Sequence, residues 1–91
     1  MNLLLQFMHS IEHDPRIGAT HISLYLSLLY TQHQQSQNPI TIKRPDIMRL
    51  AKIHSRHTYN ICMNQLHEYG YIKYQPSSNP FEGSTVYLLI D

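Results

Sequence analysis

The sequence has few of the features that build disulfide frameworks, membrane spans or exported proteins. Cys62 is its one cysteine among 91 residues, which excludes an internal disulfide and fits a reducing compartment. No apolar run approaches the roughly 20 residues that a membrane span needs. The first five residues carry no basic side chain, and Glu12 and Asp14 follow soon after, so this is a poor signal peptide. We expect a cytoplasmic protein that does not associate with membranes.

Enzymatic and metal chemistry also find little support. There is no glycine-rich phosphate loop, and no two carboxylates are convincingly spaced for catalysis. His9 and His13 are four residues apart, as two zinc ligands on one helix face can be, but a third ligand is not evident. Cys62 lies on an apolar stripe and is expected to be a packing residue rather than a nucleophile. We expect no enzyme activity, no cofactor, no metal and no small-molecule effector.

The composition that remains is that of one small globular domain. Apolar residues make up 42% of the chain, enough for a modest core at this length. The net charge is +1, but it is unevenly distributed. Residues 1–39 carry one cation and two anions, residues 40–74 six cations and two anions, and residues 75–91 two anions only. Positive charge is concentrated in the middle of the chain, as nucleic-acid binding requires, although a solvated basic surface has the same pattern.

Two helices are predicted before residue 36. Apolar residues at helical spacing predict a first helix over residues 2–13, namely Leu4, Phe7, Met8 and Ile11. Residues 14–18 break this helix, and Thr20 is the expected cap of a second helix that runs to about Gln35. The second helix has two apolar faces, formed by Ile22, Tyr25, Leu26 and Leu29 and by Leu24 and Leu28. One face should enter the core, and the other should meet the N-terminal helix of this chain or of a partner.

A strand, a short helix and a hairpin are predicted in the rest of the chain. Residues 40–43 alternate as a short strand does. Pro45 suits the first position of a helix, whose residues spaced for burial are Ile47, Leu50 and Ala51. Residues 52–54 then form the turn of a helix-turn-helix. A loop rich in proline, serine and glycine, residues 75–84, joins strands at 71–74 and 85–90.

The helix that follows the turn is the most informative part of the sequence. Ser55 is placed to cap it, and an apolar stripe follows, formed by Tyr59, Cys62, Met63 and Leu66. Gly70 stands where a left-handed residue ends a helix. The polar residues of the first turn and a half lie largely away from the stripe. These include Arg56, which can pair with guanine, and Asn60, which can pair with adenine.

This stretch resembles the recognition-helix signature of winged helix-turn-helix regulators of the GntR and MarR kind. Ser55-Arg56-x-Thr58-Tyr59-x-x-Cys62-Met63-x-x-Leu66-x-x-x-Gly70-Tyr71-Ile72 overlays without a gap on the GntR pattern Ser-Arg-x-Thr-Val-x-x-Ala-Leu-x-x-Leu-x-x-x-Gly-x-Ile/Val. The resemblance covers residues 46–72 and, with a wing, extends to about residue 90. It implies an α+β winged helix-turn-helix over residues 20–91, with a three-helix core and a β-hairpin wing. Residues 1–19 would be an N-terminal helical extension of this single domain.

The resemblance implies a function and a set of contacts. The expected function is sequence-specific binding of double-stranded DNA, by a small bacterial transcriptional regulator or an accessory factor of a mobile element or plasmid. In the GntR type the positions of Arg56 and Asn60 are commonly arginines that touch DNA, so Asn60 implies a different base preference or a lost phosphate contact. The candidate DNA-binding residues, besides Lys43 as a further phosphate neutraliser, are Arg44, Arg49, Lys52, Ser55, Arg56, His57, Thr58, Asn60, Lys73, Ser77, Ser78 and Asn79.

The sequence also leads to expectations about the oligomeric state and the partner of the protein. A single small domain with few positive charges would bind DNA weakly, so we expect a homodimer that forms through the N-terminal helices. The main alternative is a protein–protein interaction module in a replication or other nucleoprotein assembly. The absence of lysine and arginine from the wing and the net charge of +1 favour this alternative slightly. RNA binding has less support, because no platform of aromatic and basic residues is visible.

Overall fold

Four helices and a small antiparallel sheet make up the part of the chain that the computed structural model describes, residues 2–78 and 83–89. The helices are α1 (Leu3–Ile11), α2 (Ala19–Gln35), α3 (Arg44–Ala51) and α4 (Arg56–Glu68), and the strands are β1 (Ile40–Ile42), β2 (Ile72–Gln75) and β3 (Ser84–Leu88). The expected α+β class is confirmed at this level. None of these helices is both long and apolar enough to cross a membrane. The predicted loop positions 79–82 and the predicted strand position Ile90 lie outside the described residues.

Hydrogen bonds at the helix starts set where α1 and α2 begin. The side chain of Asn2 caps α1 by accepting the N–H of Leu5 at 2.9 Å. The N-cap of α2 is Gly18, whose N–H donates to Nδ1 of His21 at 3.0 Å. The prediction of Thr20 as the cap is therefore wrong, because a histidine inside the helix satisfies the backbone there. With Nδ1 as acceptor, the neutral imidazole donates from Nε2 to Oε1 of Gln65 at 2.7 Å, which ties α2 to α4.

The first helix packs on the second within the same chain. Phe7 of α1 stacks on Tyr25 with ring centroids 3.8 Å apart and meets Tyr71 edge-on at 5.4 Å. Leu3 and Ile11 also pack against the core from α1. Leu4 and Met8 have the helical spacing that predicts α1, but they do not share this inner face, since they are 41% and 44% exposed. The face that α1 turns inward is the one that carries the aromatic ring of Phe7.

The short helix α3 lies close against α2. Ala51 is buried, as its spacing predicts, and the hydroxyl of Ser23 donates to its carbonyl oxygen, so this small residue permits the close approach of the two helices. Ile47 is buried too, but Leu50 is 41% exposed, so the expected burial of Leu50 is wrong. The helix begins at Arg44, one residue earlier than predicted, with Pro45 in its first turn. Proline at this place costs no hydrogen bond.

The sheet has the strand order β1-β3-β2 and is antiparallel throughout. Strands β2 and β3 form the predicted hairpin, with Tyr74 opposite Val86. Val86 also lies opposite Ile40 of β1, so β3 is the central strand, a pairing that the sequence pattern did not predict. Gly83 has a φ of 76°, and a Cβ there would lie 2.7 Å from the carbonyl oxygen of Ile42. Glycine is therefore needed where the hairpin closes against β1.

A hydrogen-bonded cluster ties the α1–α2 connection to the end of α4. The carboxylate of Asp14 accepts hydrogen bonds from Nε and Nη2 of Arg16, both at 2.9 Å, and from the hydroxyl of Tyr71 at 2.6 Å. The guanidinium of Arg16 lies 4.1 Å from the ring centroid of Tyr69. The hydrogen bonds from Arg16 and Tyr71 hold the pKa of Asp14 well below its usual range. Burial and the bond to this carboxylate raise the pKa of Tyr71 to about 12.

Asp14→Asn is expected to destabilise the protein in a pH-dependent way. Because the pKa of Asp14 is lower in the folded protein than in the unfolded chain, its stabilising effect is complete above the ordinary aspartate pKa of about 4 and is lost as the pH falls below it. Thermal melts of the wild type and the variant should therefore differ at neutral pH and converge in acid.

Asp46→Asn is the matched control for this experiment. Asp46 also pairs with an arginine, Arg49, but the two side chains are 56% and 70% exposed, and such surface pairs contribute little. This variant should melt close to the wild type at every pH. Equal losses from the two substitutions, or a gap for Asp14→Asn that does not change with pH, would contradict the role given to Asp14.

Candidate nucleic-acid interface

α4 is held by one buried side, which leaves the opposite side in solvent. The predicted stripe is confirmed as buried, with Tyr59, Cys62, Met63 and Leu66 at 6% exposure or less. Ser55 caps the helix as predicted, because its Oγ accepts the N–H of Thr58 at 3.1 Å. Gly70 has a φ of 89°, and the next N–H, of Tyr71, donates to the carbonyl oxygen of Leu66 at 2.9 Å. With both ends closed in this way, α4 presents one fixed outer side.

The outer side of α4 carries the predicted polar residues and two more. Arg56, His57 and Asn60 are exposed. Ile61 and Asn64 lie about one turn further along the same side, four residues after His57 and Asn60. Both are exposed, and the exposed fraction of Ile61 is 42%. The side-chain amide of Asn64 donates to the carbonyl oxygen of Asn60 at 2.9 Å, so it lies along the helix surface. Following the helical spacing beyond the first turn and a half would have found both missed residues.

Arg56 is the cation of this outer side. Within residues 2–78 and 83–89 its guanidinium takes part in no hydrogen bond or ion pair, whereas Arg16 is paired with Asp14 and Arg49 with Asp46 at 3.3 Å. Glu68 is exposed on the same side at the far end of the helix. The N-terminal half of α4 therefore favours an approaching anion, because Arg56 and the helix N-terminus are both there.

The turn before α4 places a second cation near its start. α3 ends at Ala51 and α4 begins at Arg56, so the turn predicted at residues 52–54 is present. Lys52 has a φ of 62°, and its N–H donates to the carbonyl oxygen of Arg49 at 3.4 Å, which closes α3. The side chain of Lys52 is exposed, while Ile53 is buried at 8% exposure. Burial of Ile53 anchors the turn and leaves Lys52 outside, three residues before the cap Ser55.

A second group of predicted residues lines a cleft between the start of α3 and the β2–β3 loop. The cleft has a volume of about 520 Å³, and its polar lining is formed by Lys43, Arg44, Ser77, Ser78 and Ser84. The structure thus brings together three candidates that the sequence predicted separately, Arg44, Ser77 and Ser78. Ser77 is partly engaged, since its N–H donates to the hydroxyl of Ser84 at 3.2 Å. Asn79, the remaining wing candidate, lies outside the described residues.

Electrostatics link this cleft to α4. Burial and the nearby Tyr74 raise the pKa of Tyr59, and the charge of Arg44 opposes that rise. Arg44 therefore lies within electrostatic reach of the Tyr59 hydroxyl, although Tyr59 itself is buried on the inner side of α4. The charge of Arg44, which is half-buried at the start of α3, is therefore felt at α4 as well as in the cleft.

Two further candidates are placed apart from both groups. Thr58 is half-buried, and its backbone N–H already serves the cap of α4. Lys73 is exposed on β2 opposite Tyr87 of β3, which is 37% exposed. Lys73 therefore lies on the outer face of the sheet, and it does not line the cleft.

The prediction that His9 and His13 share a helix face is wrong. α1 ends at Ile11, so His13 lies beyond the helix and does not share a helix face with His9. In the described part of the chain no three His, Cys, Asp or Glu side chains are grouped as a metal ion would need. Burial raises the pKa of the Cys62 thiol, which disfavours the reactive thiolate.

Comparisons of this chain with protein-family models, with curated proteins and with solved structures found no match. The interpretation of the exposed surface therefore depends on its own residues and their geometry. The outer side of α4 carries polar side chains that can form hydrogen bonds, the unpaired cation Arg56 and the apolar side chain of Ile61.

Ser55→Ala should lower the free energy of unfolding by about 1 kcal/mol, because the N–H of Thr58 loses its acceptor. Ser55→Asp should keep most of the stability, since aspartate caps a helix as well as serine does. Urea unfolding followed by circular dichroism measures both. Ser78→Ala is the control, because Ser78 is exposed and caps no described helix. A Ser55→Ala midpoint equal to that of the control would show that the cap contributes nothing.

Proposed function

We propose that this chain is a winged helix-turn-helix module that binds double-stranded DNA sequence-specifically, with the N-terminal half of α4 in the major groove. The observation that carries the proposal is the exposed polar side of α4, which is turned outward by the burial of the opposite stripe. An α-helix fits the major groove, where Arg56 can form two hydrogen bonds with guanine and Asn60 two with adenine. No described element covers these two side chains.

The flanking cations support a defined orientation on the duplex. Lys52 precedes the start of α4, and the cleft beside α3 offers Lys43, Arg44 and serine hydroxyls. Such groups contact phosphates and position a protein without reading sequence. In this arrangement the β2–β3 hairpin is the wing, and because its loop has no lysine or arginine, contacts from the loop use hydroxyls and backbone amides. A role as a transcriptional regulator or as an accessory factor of a mobile element or plasmid fits such a module.

The alternative is a protein-interaction module of a nucleoprotein assembly, in which the same helix packs on protein. The net charge of +1 favours it, because a duplex is a strongly negative partner. The two proposals differ in their response to salt. Binding to phosphates weakens steeply as salt is added, whereas packing of uncharged surfaces does not.

Arg56→Ala is expected to weaken binding to the preferred duplex by about 1–3 kcal/mol, because a bidentate contact with a base is lost. The preferred duplex is first selected from a random oligonucleotide pool with the wild-type protein. Fluorescence polarisation at two salt concentrations then gives the affinity and its salt dependence for each variant.

Arg16→Ala is the matched control for Arg56→Ala. It removes the same charge at a place where the guanidinium is already paired with Asp14, and its binding is measured at a temperature where circular dichroism shows it folded. It should bind the selected duplex nearly as the wild type does. If neither variant loses affinity and the binding ignores salt, DNA is not the partner and the interaction module is the better proposal.

Ile61 should read a thymine through its C5-methyl group, since it is the apolar residue on the outer side of α4. Replacing each thymidine of the selected duplex by deoxyuridine removes one methyl group at a time. At one position the wild type should lose about 0.8 kcal/mol, roughly fourfold in affinity, and Ile61→Ala should lose nothing further there. A wild type that tolerates every replacement would exclude this contact.

A further inference from the structure

Exposed apolar residues are concentrated on a surface that DNA binding does not use. Among the described residues eight large apolar side chains are exposed, and six of them lie on α1, α2 and α3, namely Leu4, Leu5, Met8, Leu26, Tyr30 and Leu50. Each is between 41% and 55% exposed. The other two, Ile61 and Tyr87, stand singly on α4 and β3. A single exposed apolar residue is ordinary, but a group of this size marks an interaction surface.

The centre of this surface is an open groove between α2 and α3. The groove has a volume of about 520 Å³, and Ile22, Leu26, Tyr30 and Leu50 supply most of its lining. On α2 these positions are opposite the buried Leu24 and Leu28 by helical spacing. The buried side of α2 faces the core and α4, where His21 bonds Gln65. The groove therefore opens away from α4.

The exposed flank of α1 borders the groove. Gln6 and Ser10 of α1 line a cavity with Tyr69 and Tyr71, so this flank of α1 faces the end of α4. Leu4 and Met8 are on the opposite flank by helical spacing. Around α2, the half-buried Ile22 and Leu29 come between Tyr25, on which α1 rests, and Leu26 of the groove. The apolar flank of α1 and the groove thus form one continuous face.

This face carries no formal charge on its two main helices. The 9 residues of α1 and the 17 residues of α2 include no Asp, Glu, Lys or Arg, although such residues make up 14% of the chain. A partner that docks by charge would find nothing to pair with on these helices. When a second copy of the same face docks on the first, no like charges meet, and the apolar residues of each copy contact those of the other. The charge pattern therefore favours self-association.

The size of the face suits a weak dimer. At 1.5 Å per residue the 17 residues of α2 are about 26 Å long and the 9 residues of α1 about 14 Å, and each helix is roughly 10 Å wide. The projected area of the face is therefore roughly 400 Å², about half of the roughly 800 Å² of accessible surface that each partner buries in a stable complex, so we expect association that depends on concentration.

We propose that two copies of this chain associate through this face, which we define by α1, α2 and Leu50, to form a two-fold dimer. The sequence predicts an interface on the N-terminal helices, but the inner side of α1 is occupied by Tyr25 of its own chain. The groove beside Leu26 is therefore the centre of the contact and α1 its edge. Both α4 helices stay exposed in such a dimer. Reading of two half-sites by one dimer rests on the proposed DNA binding, whereas the dimer itself does not.

The test compares Leu26→Glu with Ile61→Glu by sedimentation equilibrium over a range of concentrations without DNA. Leu26 and Ile61 are both 42% exposed on the outer side of a helix, so the same substitution is made in the same kind of place. The wild type should approach twice the 10.7 kDa of one chain. Leu26→Glu should weaken association at least tenfold, and Ile61→Glu should leave it unchanged. Tyr30→Lys repeats the first substitution at a second place in the groove, and circular dichroism confirms that each variant is folded.

Three results would overturn the proposal. If the wild type stays at the mass of one chain at every concentration, the chain does not self-associate and the face would bind a different partner. A dimer that survives both groove substitutions would lie on another surface, and one that Ile61→Glu disrupts would lie on α4. Arg56→Ala should remain dimeric whether or not the protein binds DNA. Failure of the dimer and failure of DNA binding are thus measured separately.

Discussion

Burial of the apolar stripe of α4 is the constraint on which the rest of the structure depends. An α-helix has 3.6 residues per turn, so the burial of Tyr59, Met63 and Leu66 in the core determines the direction in which every other side chain of α4 points. The stripe is almost entirely inaccessible to solvent, so rotation of the helix about its axis would expose several large side chains at once. At about 1.5–3 kcal/mol for each large apolar side chain, such a rotation costs more than any surface contact could supply.

Polar contacts at the rim of the core make this position specific. His21 joins the start of α2 to Gln65 of α4 at 2.7 Å, and Nδ1 of His67 accepts the N–H of Tyr74 at 3.0 Å. The hydrophobic effect is non-directional, so apolar packing alone would tolerate small shifts of α4 along its axis. Hydrogen bonds are sensitive to distance and angle, and they hold α4 in register with both α2 and β2. The outer side of α4 is therefore preorganised for whatever it binds.

The parts of the fold that could be read from the sequence are those where several local signals agree. At α4 the cap Ser55, the stripe and the closing Gly70 all point to the same helix, and all three are found in the structure. Errors occurred where one signal had to decide between equivalent choices. α1 is apolar on several sides, so periodicity could not say that Leu3 faces inward and Leu4 outward. Leu50 suits a buried position by type, but burial depends on what α2 places opposite it.

Long-range features had no local signal at all. The pairing of β1 with β3 and the bond from Tyr71 to Asp14 join residues more than 40 positions apart, and nothing in either segment names its partner. The same holds for the candidate site: the sequence separates Arg44 from Ser77 and Ser78, and only the fold places them around one cleft. The exposed side of α4 was within reach, because Ile61 and Asn64 follow from the same helical spacing that located Asn60.

The distribution of charge is consistent with separate roles for the two proposed surfaces, DNA binding by α4 and dimer formation by α1 and α2. A protein with a net charge of +1 gains little from long-range attraction to a polyanion, so one copy has few phosphate contacts to offer. Adding cations to α1 and α2 would raise that attraction, but it would place like charges against each other in a two-fold interface. Keeping these helices uncharged and placing six of the seven lysines and arginines in residues 40–74 avoids the conflict. Affinity for DNA would then come from joining two weakly binding surfaces, which multiplies their contributions without adding charge to either.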